Sequence, residues 1–336
     1  MKTISVEHGA RSVGEDSEAA IRVAVLGAGG LGKAAARIIG LKRSLRLVAI
    51  CDSKGVAFDE GGLDGGAIAD GDGEWRQSDD PIGGILGLAE RVDAILIALP
   101  NLPNEFIPGV LERFARSARR LVFVDVLKRT AAVERMFALD APLKQAEHVV
   151  LTGCGATPGL LSAAAVLAAQ SFIEVERVDI WWGVGIANWD AYKATIREDI
   201  AHMPGYTVER AKAMTDAQVE ELLEKTGGLL ELHHMEHADD LLLERVGVVR
   251  SREQVEVGGV MDTRHAKKPV STTMTLTGIT YEGKRATHRF ILGDETTMAA
   301  NVIGPALGYL ARGVWLRDRG LFGVFGSTEF LHMVVR

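Results

Sequence analysis

The chain has 336 residues, 47% hydrophobic and 25% charged, with a net charge of −7. That length predicts about two domains, the composition is that of an ordinary globular protein, and the negative charge argues against nucleic acid or an anionic membrane as partner. The longest apolar run, Leu160–Ala169, is too short to span a bilayer, and Cys51 and Cys154 alone give no disulfide framework, which fits a reducing cytoplasm.

Residues 1–20 mix charges and lack an apolar leader, which predicts a flexible tail. Ile21–Leu26 is an apolar strand that runs into Gly27-Ala28-Gly29-Gly30-Leu31-Gly32. A helical pattern over Leu31–Gly40 and a second strand, Leu45–Cys51, follow, with Asp52 twenty residues past the last glycine. This is G-x-G-x-x-G between strand and helix. Gly27 permits the tight turn, Gly29 lets backbone N–H groups approach a pyrophosphate at the helix N-terminus, and Gly32 lets helix and strand pack closely. Asp52 accepts ribose hydroxyls and favours NAD over NADP, although Ser53, Lys54 and Arg43 soften that preference and leave NADP open.

Gly55–Asp80, rich in Gly and Asp, reads as one long loop. Helices are predicted over Pro81–Arg91, Glu105–Arg116 and Thr130–Gln145, and strands over Asp93–Leu99, Leu121–Val124 and His148–Leu151. Such alternation makes an α/β Rossmann fold, a doubly wound parallel sheet. A helix opens at Thr157-Pro158, with Thr157 as N-cap, and runs to Ser171. Strands then follow without crossover helices at Val175–Ile186, Gln254–Met261, Ser271–Thr280 and Lys284–Leu292, so the second, α+β part has a mainly antiparallel sheet. Tyr281-Glu282-Gly283 is a tight connection. Thr215 with Gln218 makes a capping box in a helical insert that Gly227-Gly228 stops. Asp294–Gly313 is a helix interrupted at Gly304-Pro305. The domain plan is thus a Rossmann domain over 21–157, to which 294–336 returns, and a substrate and dimerisation domain over 158–293.

In doubly wound sheets ligands lie beyond the carboxyl ends of the strands. Gly27, Gly29, Gly30, Leu31, Gly32, Asp52 and Ser53 are therefore the predicted dinucleotide site. Leu99, Pro100 and Asn101 after the third strand, and Gly153 and Cys154 after the fifth, are predicted to lie toward the nicotinamide. Asn104 is a further candidate.

"ILIALPNLPNEF" resembles a stretch of the glucose-fructose oxidoreductase and inositol dehydrogenase family, and Lys128 matches the lysine that this family places near nicotinamide and substrate. "VAICDSKG" and the Leu127-Lys128 pair are similar to the homoserine dehydrogenase nucleotide domain. "TGCGATPGLLS" and "LGDETTMAANVIGPAL" resemble saccharopine dehydrogenases, a likeness that spans both halves. It implies an NAD(P)-dependent oxidoreductase acting on a small amino-acid-like substrate at a C–N bond, returning its C-terminal helix to the nucleotide domain and forming a homodimer.

Lys128 is predicted as the acid–base group or as a carboxylate anchor. Asp125 either orients it, binds a ribose hydroxyl or caps a helix. Thr157, Pro158, Trp189 and Arg197 are predicted to bind substrate, in a Trp181–Tyr192 stretch and its surroundings that also fit core or dimer face. Cys154, near a helix N-terminus, is a small buried residue or the nucleophile of an acylating semialdehyde dehydrogenase. His233, His234 and His237 lack a metal-ligand pattern and read as an exposed polar helix face; no metal is expected. The rival functions are C–O dehydrogenation of a homoserine-like alcohol or sugar, and coenzyme binding without turnover.

Overall fold

The computed structural model describes residues 20–99, 103–186, 189–193, 195–294 and 296–336. Residues 1–19 of the tail predicted over 1–20, and the candidates Pro100 and Asn101, lie outside the described residues. Within them β1 (Ile21–Leu26), β2 (Leu45–Cys51), β3 (Gly55–Phe58), β4 (Arg76–Gln77), β5 (Ala94–Ile97), β6 (Val122–Asp125) and β7 (Val149–Thr152) precede the long β8 (Phe172–Gly185). The chain continues through β9 (Leu229–Leu232), β10 (Val255–Asp262), β11 (Thr272–Thr280), β12 (Arg285–Leu292) and β13 (Gly323–Gly326).

One sheet runs in the order β13-β7-β6-β5-β1-β2-β3-β4, parallel from β13 through β2. Its strands are apolar on both faces. Val23, Val25, Leu96, Val124 and Leu151 point into one buried cluster, and Ala24, Leu26, Ile95, Ile97, Phe123 and Val150 into the other. Helices must therefore cover both faces. Gly30–Gly40 and Met298–Arg317 pack on the first, Phe106–Ser117 on the second. None of the helices among the described residues is long and apolar enough to cross a membrane.

Four local expectations change. Gly55–Asp80 is not one loop. Val56 and Ala57 are buried in β3, which pairs antiparallel with β2, and Asp64 Oδ1 caps the helix Gly65–Asp70 by accepting from Gly66 N (2.8 Å) and Ala67 N (3.0 Å). The predicted helix over Thr130–Gln145 divides into Thr130–Ala138 and Asp140–Gln145, because Pro142 has no N–H for the Ala138 carbonyl. Conversely, Met298–Arg317 continues through Pro305. A proline inside a helix costs about 3 kcal/mol, but Ile303, Ala306 and Leu307 beside it are fully buried, and full burial of each large aliphatic side chain returns about 1.5–3 kcal/mol. Finally, the helix predicted from Thr157 starts at Leu160. Gly159 is its N-cap and Ser162 Oγ accepts the Gly159 N–H at 3.1 Å, so Thr157 is free for another partner.

The second sheet has the order β12-β11-β8-β10-β9. It is antiparallel except for β8 and β10, which pair in parallel. The helical segments between those two strands carry the chain back across the sheet, as a parallel pair requires. The capping box appears as predicted, Gln218 Oε1 accepting from Thr215 N (2.8 Å) and Thr215 Oγ1 from Gln218 N (3.3 Å). The 280–284 connection is closed by Gly283 N to Thr280 O at 2.9 Å. After Met298–Arg317 the chain places β13 beside β7 in the first sheet.

One buried titratable group in this sheet makes stability depend on pH. His148 is fully buried before β7. Its Nδ1 accepts the Leu121 N–H at 3.0 Å and its ring lies edge-on to Phe123. Desolvation lowers its pKa to about 4. The unfolded chain therefore binds a proton here that the folded chain refuses, and stability is lost as pH falls from about 6.5 toward 4, on the order of 3 kcal/mol in all. Buried Asp125, pushed up to about 6, has the opposite sign: folded, it takes a proton earlier than the unfolded chain does. Comparing wild type with His148→Asn, which keeps an acceptor for Leu121 N–H, cancels the Asp125 contribution. The stability advantage of the wild type in urea titrations should shrink by about that amount between pH 7 and pH 4.

Candidate active site

The glycine loop is built by contact, not by composition alone. Gly27 has φ +102°, and a Cβ there would stand 2.6 Å from Ala98 O; a Cβ on Gly32 would stand 1.8 Å from Gly27 O. The turn is thus clamped between β5 and the first helix. Gly29 and Gly30 face the other way, with no atom within 4 Å of where a Cβ would lie, and no side chain caps the helix Gly30–Gly40. An open helix start with exposed N–H groups suits a diphosphate. Asp52, at the end of β2, has Oδ1 engaged by Lys54 N (2.7 Å) and Gly55 N (2.8 Å), which fixes the carboxylate and leaves Oδ2 for a ribose hydroxyl. Ser53 beside it is exposed. The residues present fit a dinucleotide.

A cavity of about 350 Å³ begins at Leu31, Ile97 and Leu99 and extends along Asp125–Lys128 to Tyr192, Thr195, Glu198 and Asp199. A second of about 400 Å³ shares Leu31, Val126, Lys128, Tyr192 and Asp199 with it and continues between the two sheets. Its walls there are Trp182, Met235, Met261, Leu292, Met298 and Val302, with Gly155–Thr157, His237, Lys268 and Asn301 as further lining. The loop before β11 crosses directly over β8: a Cβ on Gly183 would stand 1.9 Å from Val270 O, which explains the glycine after the two tryptophans. That loop carries Lys268, whose Nζ donates to Gly293 O at 3.0 Å.

Lys128 stands where the two cavities meet, its side chain open to the cleft and its carbonyl accepting the Ala238 N–H at 2.7 Å. Asp125 neither caps a helix nor bonds Lys128. Its Oδ1 accepts from Gly153 N (2.9 Å) and Leu127 N (3.0 Å), tying the ends of β6 and β7 together beneath the cleft, and burial raises its pKa to about 6. Gly153, at φ +67°, makes that turn. Cys154 is fully buried in the core under the long helix, its N–H bonded to Asp125 O at 2.9 Å, and desolvation raises its thiol far above the ordinary value. A thiol held that way is no nucleophile. Asn104 Oδ1 is buried without a partner among the described residues.

Of the predicted substrate residues, Thr157 lines the second cavity. Pro158 packs behind it against Gly153, and Trp189 packs in the helical insert. Arg197 turns away from the cleft, Nη2 to Asp216 Oδ1 at 2.6 Å and Nε to Met214 O at 2.8 Å.

Two clusters enter the site that local pattern did not mark. Tyr192 donates to the buried carboxylate of Asp199. Asp199 is raised, chiefly by burial, against the Tyr192 hydrogen bond and the nearby Lys128 charge, and Tyr192 is raised by burial and by Asp199. The histidines do not share an exposed helix face; all three lie in the loop after β9. His233 contacts Glu231 (2.9 Å) and His234 contacts Glu256 (2.6 Å), but His237 is buried, with Nδ1 2.6 Å from Asp239 Oδ2. Among the described residues no group of three or more His, Cys, Asp or Glu is arranged to hold a metal ion.

No family model matches the chain. Among curated proteins it is 41% identical over 348 aligned positions to the (S)-8-amino-7-oxononanoate synthase BioU of Haloferax mediterranei, covering 93% of this chain and 98% of that one. Among solved structures it resembles an engineered D-amino acid dehydrogenase bound to NADP+ (TM-score 0.56, 17% identity, 95% of each chain) and the C. glutamicum DAP dehydrogenase in complex with DAP (0.57, 18%, 94% of each). It also resembles the L-Glu-forming saccharopine dehydrogenase of Saccharomyces cerevisiae (0.58, 10%, 92% of this chain and 94% of that one). At these identities the structures share the fold, the Rossmann sheet with a second α+β unit. The saccharopine dehydrogenase likeness holds at that level.

Proposed function

The chain belongs to the family of the (S)-8-amino-7-oxononanoate synthase BioU, and from that membership and the cleft we propose that it is an NAD(P)-dependent oxidoreductase. It moves a hydride at a C–N bond of an aliphatic acid carrying amino and oxo groups, of the 8-amino-7-oxononanoate kind. The observation that carries this reading is the continuity of the cleft: the uncapped glycine-rich helix start opens into the cavity that holds Lys128, and beyond Lys128 the walls become an apolar chamber.

Gly29, Gly30 and the helix start would hold the diphosphate, and Asp52 Oδ2 the adenosine ribose; the carboxylate favours NAD, with NADP open. When bound, the nicotinamide ring gives or takes a hydride. The chain's residues supply the rest, largely by orientation in a shielded cleft. Leu31, Ile97 and Leu99 keep water from the inner cavity. Lys128 faces the reacting group as a cation, with Asp199 as counter-ion and Tyr192 holding that carboxylate. Trp182, Met235, Met261 and Met298 accept a polymethylene chain, and Lys268, on the loop over β8, offers a charge to a distant carboxylate.

The test is titration calorimetry of the purified chain with NADH and NADPH, then single-turnover measurement of reduced-coenzyme absorbance on mixing with (S)-8-amino-7-oxononanoate. Binding of at least one coenzyme and its oxidation are expected, with mass spectrometry of the product identifying whether hydrogen is added beside nitrogen or oxygen. Absence of binding by both coenzymes overturns the reading.

A further inference from the structure

We propose that His237 is the proton-carrying catalytic residue of this cleft and that Asp239 positions it; the assignment rests on the hydride-transfer reading above. His237 is 5% exposed and Asp239 fully buried, at the start of the helix Asp239–Arg245. Three groups converge on the one carboxylate. His237 Nδ1 lies 2.6 Å from Oδ2, Thr157 Oγ1 donates to Oδ2 at 2.8 Å, and Ser162 Oγ donates to Oδ1. Ser162 Oγ already accepts the Gly159 N–H at 3.1 Å, so its own hydrogen is directed at Asp239. The Thr157 and Ser162 hydroxyls both donate to this carboxylate, so it faces Nδ1 as an acceptor, which places a hydrogen on Nδ1 and fixes the tautomer.

Among the described residues the hydrogen bond of this ring is made by Nδ1, and the ring lines the same chamber as Lys128. The bond from Ala238 N to Lys128 O, at 2.7 Å, joins the His237 loop to the segment that carries the lysine. One nitrogen is anchored on a buried carboxylate and the residue lines the cavity, the arrangement a general acid–base group needs.

The proton balance is simple. As hydride adds to the substrate carbon, the π pair of the C=N or C=O group moves to the heteroatom, which takes the hydrogen from His237 Nε2. The imidazolium becomes neutral, Asp239 remains a carboxylate, and solvent in the cleft restores the proton; the reverse reaction runs the other way. The charged and titratable groups around the ring are Lys128, Tyr192 and Asp199 across the cleft, Lys268 from the loop over β8, and Glu236, Asp239 and Asp240 from its own segment.

The experiment compares wild type, His237→Asn and Asp239→Asn as full chains by single-turnover rate against pH with NADH and (S)-8-amino-7-oxononanoate, by NADH titration, and by proton NMR. His237→Asn should lower the rate by about 10²–10⁴-fold, leave NADH affinity within about twofold, and remove the imidazole ionisation from the pH profile. The strongly downfield Nδ1–H resonance expected of the wild type should vanish in both variants. Should Asp239→Asn fail to fold, Thr157→Val, which keeps the carboxylate but removes a donor, should shift the pH profile with a smaller loss of rate. A wild type that reacts while His237→Asn matches its rate, or keeps its pH profile at a reduced rate, overturns this assignment alone. A wild type that binds neither NADH nor NADPH overturns the hydride reading and this role with it.

Discussion

Lys128→Met should abolish measurable single-turnover hydride transfer, a loss of at least about three orders of magnitude, while NADH still binds. A single positioned donor aimed at developing charge is worth about 10²–10³ in rate. Lys128 is exposed, so its charge is screened by water until bound coenzyme and substrate displace that water. The second part of the loss comes through Asp199. Burial pushes this carboxyl toward its neutral form, opposed by the Tyr192 hydrogen bond and the Lys128 charge. Removing the cation tips that balance toward proton uptake and takes the positive charge from the reacting end of the cavity. Lys128→Arg separates the two roles the sequence left open. A guanidinium keeps the charge but does not give up a proton in a protein, so substantial recovery assigns Lys128 as a fixed cation, and none assigns it a proton of its own. Stopped-flow absorbance of reduced coenzyme reads all three proteins. A Lys128→Met rate equal to wild type would remove this residue from the chemistry.

How far the sequence reached depended on the range of the interaction involved. β1, β2 and β5–β7 are legible because strands buried on both faces need apolar runs, and the glycine loop because its spacing is set by backbone contacts within a few residues. Gly55–Asp80 misled because its Gly and Asp residues, a loop signature by composition, here cap a short helix and let β3 pair with β2. The site divides the same way. Lys128 is visible from its place after β6, whereas His237 and Asp199 come to it only through the second sheet and the helical insert, elements whose docking no local periodicity encodes. The one local sign was His237-Ala-Asp239, an acid at a helix start two residues from a histidine, a pattern too common to single out. Arg197 shows the converse: a cation in a promising stretch satisfied by Asp216 on the next helix. Family membership was likewise hidden from short motifs, since a glycine loop of this spacing marks dinucleotide binding in general and not one family.

Gly32→Ala and Gly30→Ala should fail in different ways, and the difference tests where the diphosphate lies. At Gly32 an added methyl would stand 1.8 Å from Gly27 O and 2.7 Å from Gly27 C, both backbone atoms. Gly27 cannot withdraw, because it is itself pressed against Ala98 O. The helix Gly30–Gly40 must shift, and with it the contacts of Ala35, Ala36 and Ile39 with the sheet. Overpacking of this kind costs about 1–3 kcal/mol or more, so the variant should melt earlier and bind NADH at least about 100-fold more weakly. At Gly30, the first residue of its helix, no atom lies within 4 Å of the new methyl, and alanine has less backbone freedom than glycine to lose on folding. That variant should therefore melt no earlier than wild type, yet lose NADH affinity, because its methyl occupies the space a diphosphate needs. Thermal melts and titration calorimetry on the two proteins decide the matter. Wild-type affinity in Gly30→Ala would place the diphosphate elsewhere, and an unchanged melt in Gly32→Ala would mean that the turn is not clamped as the contacts require.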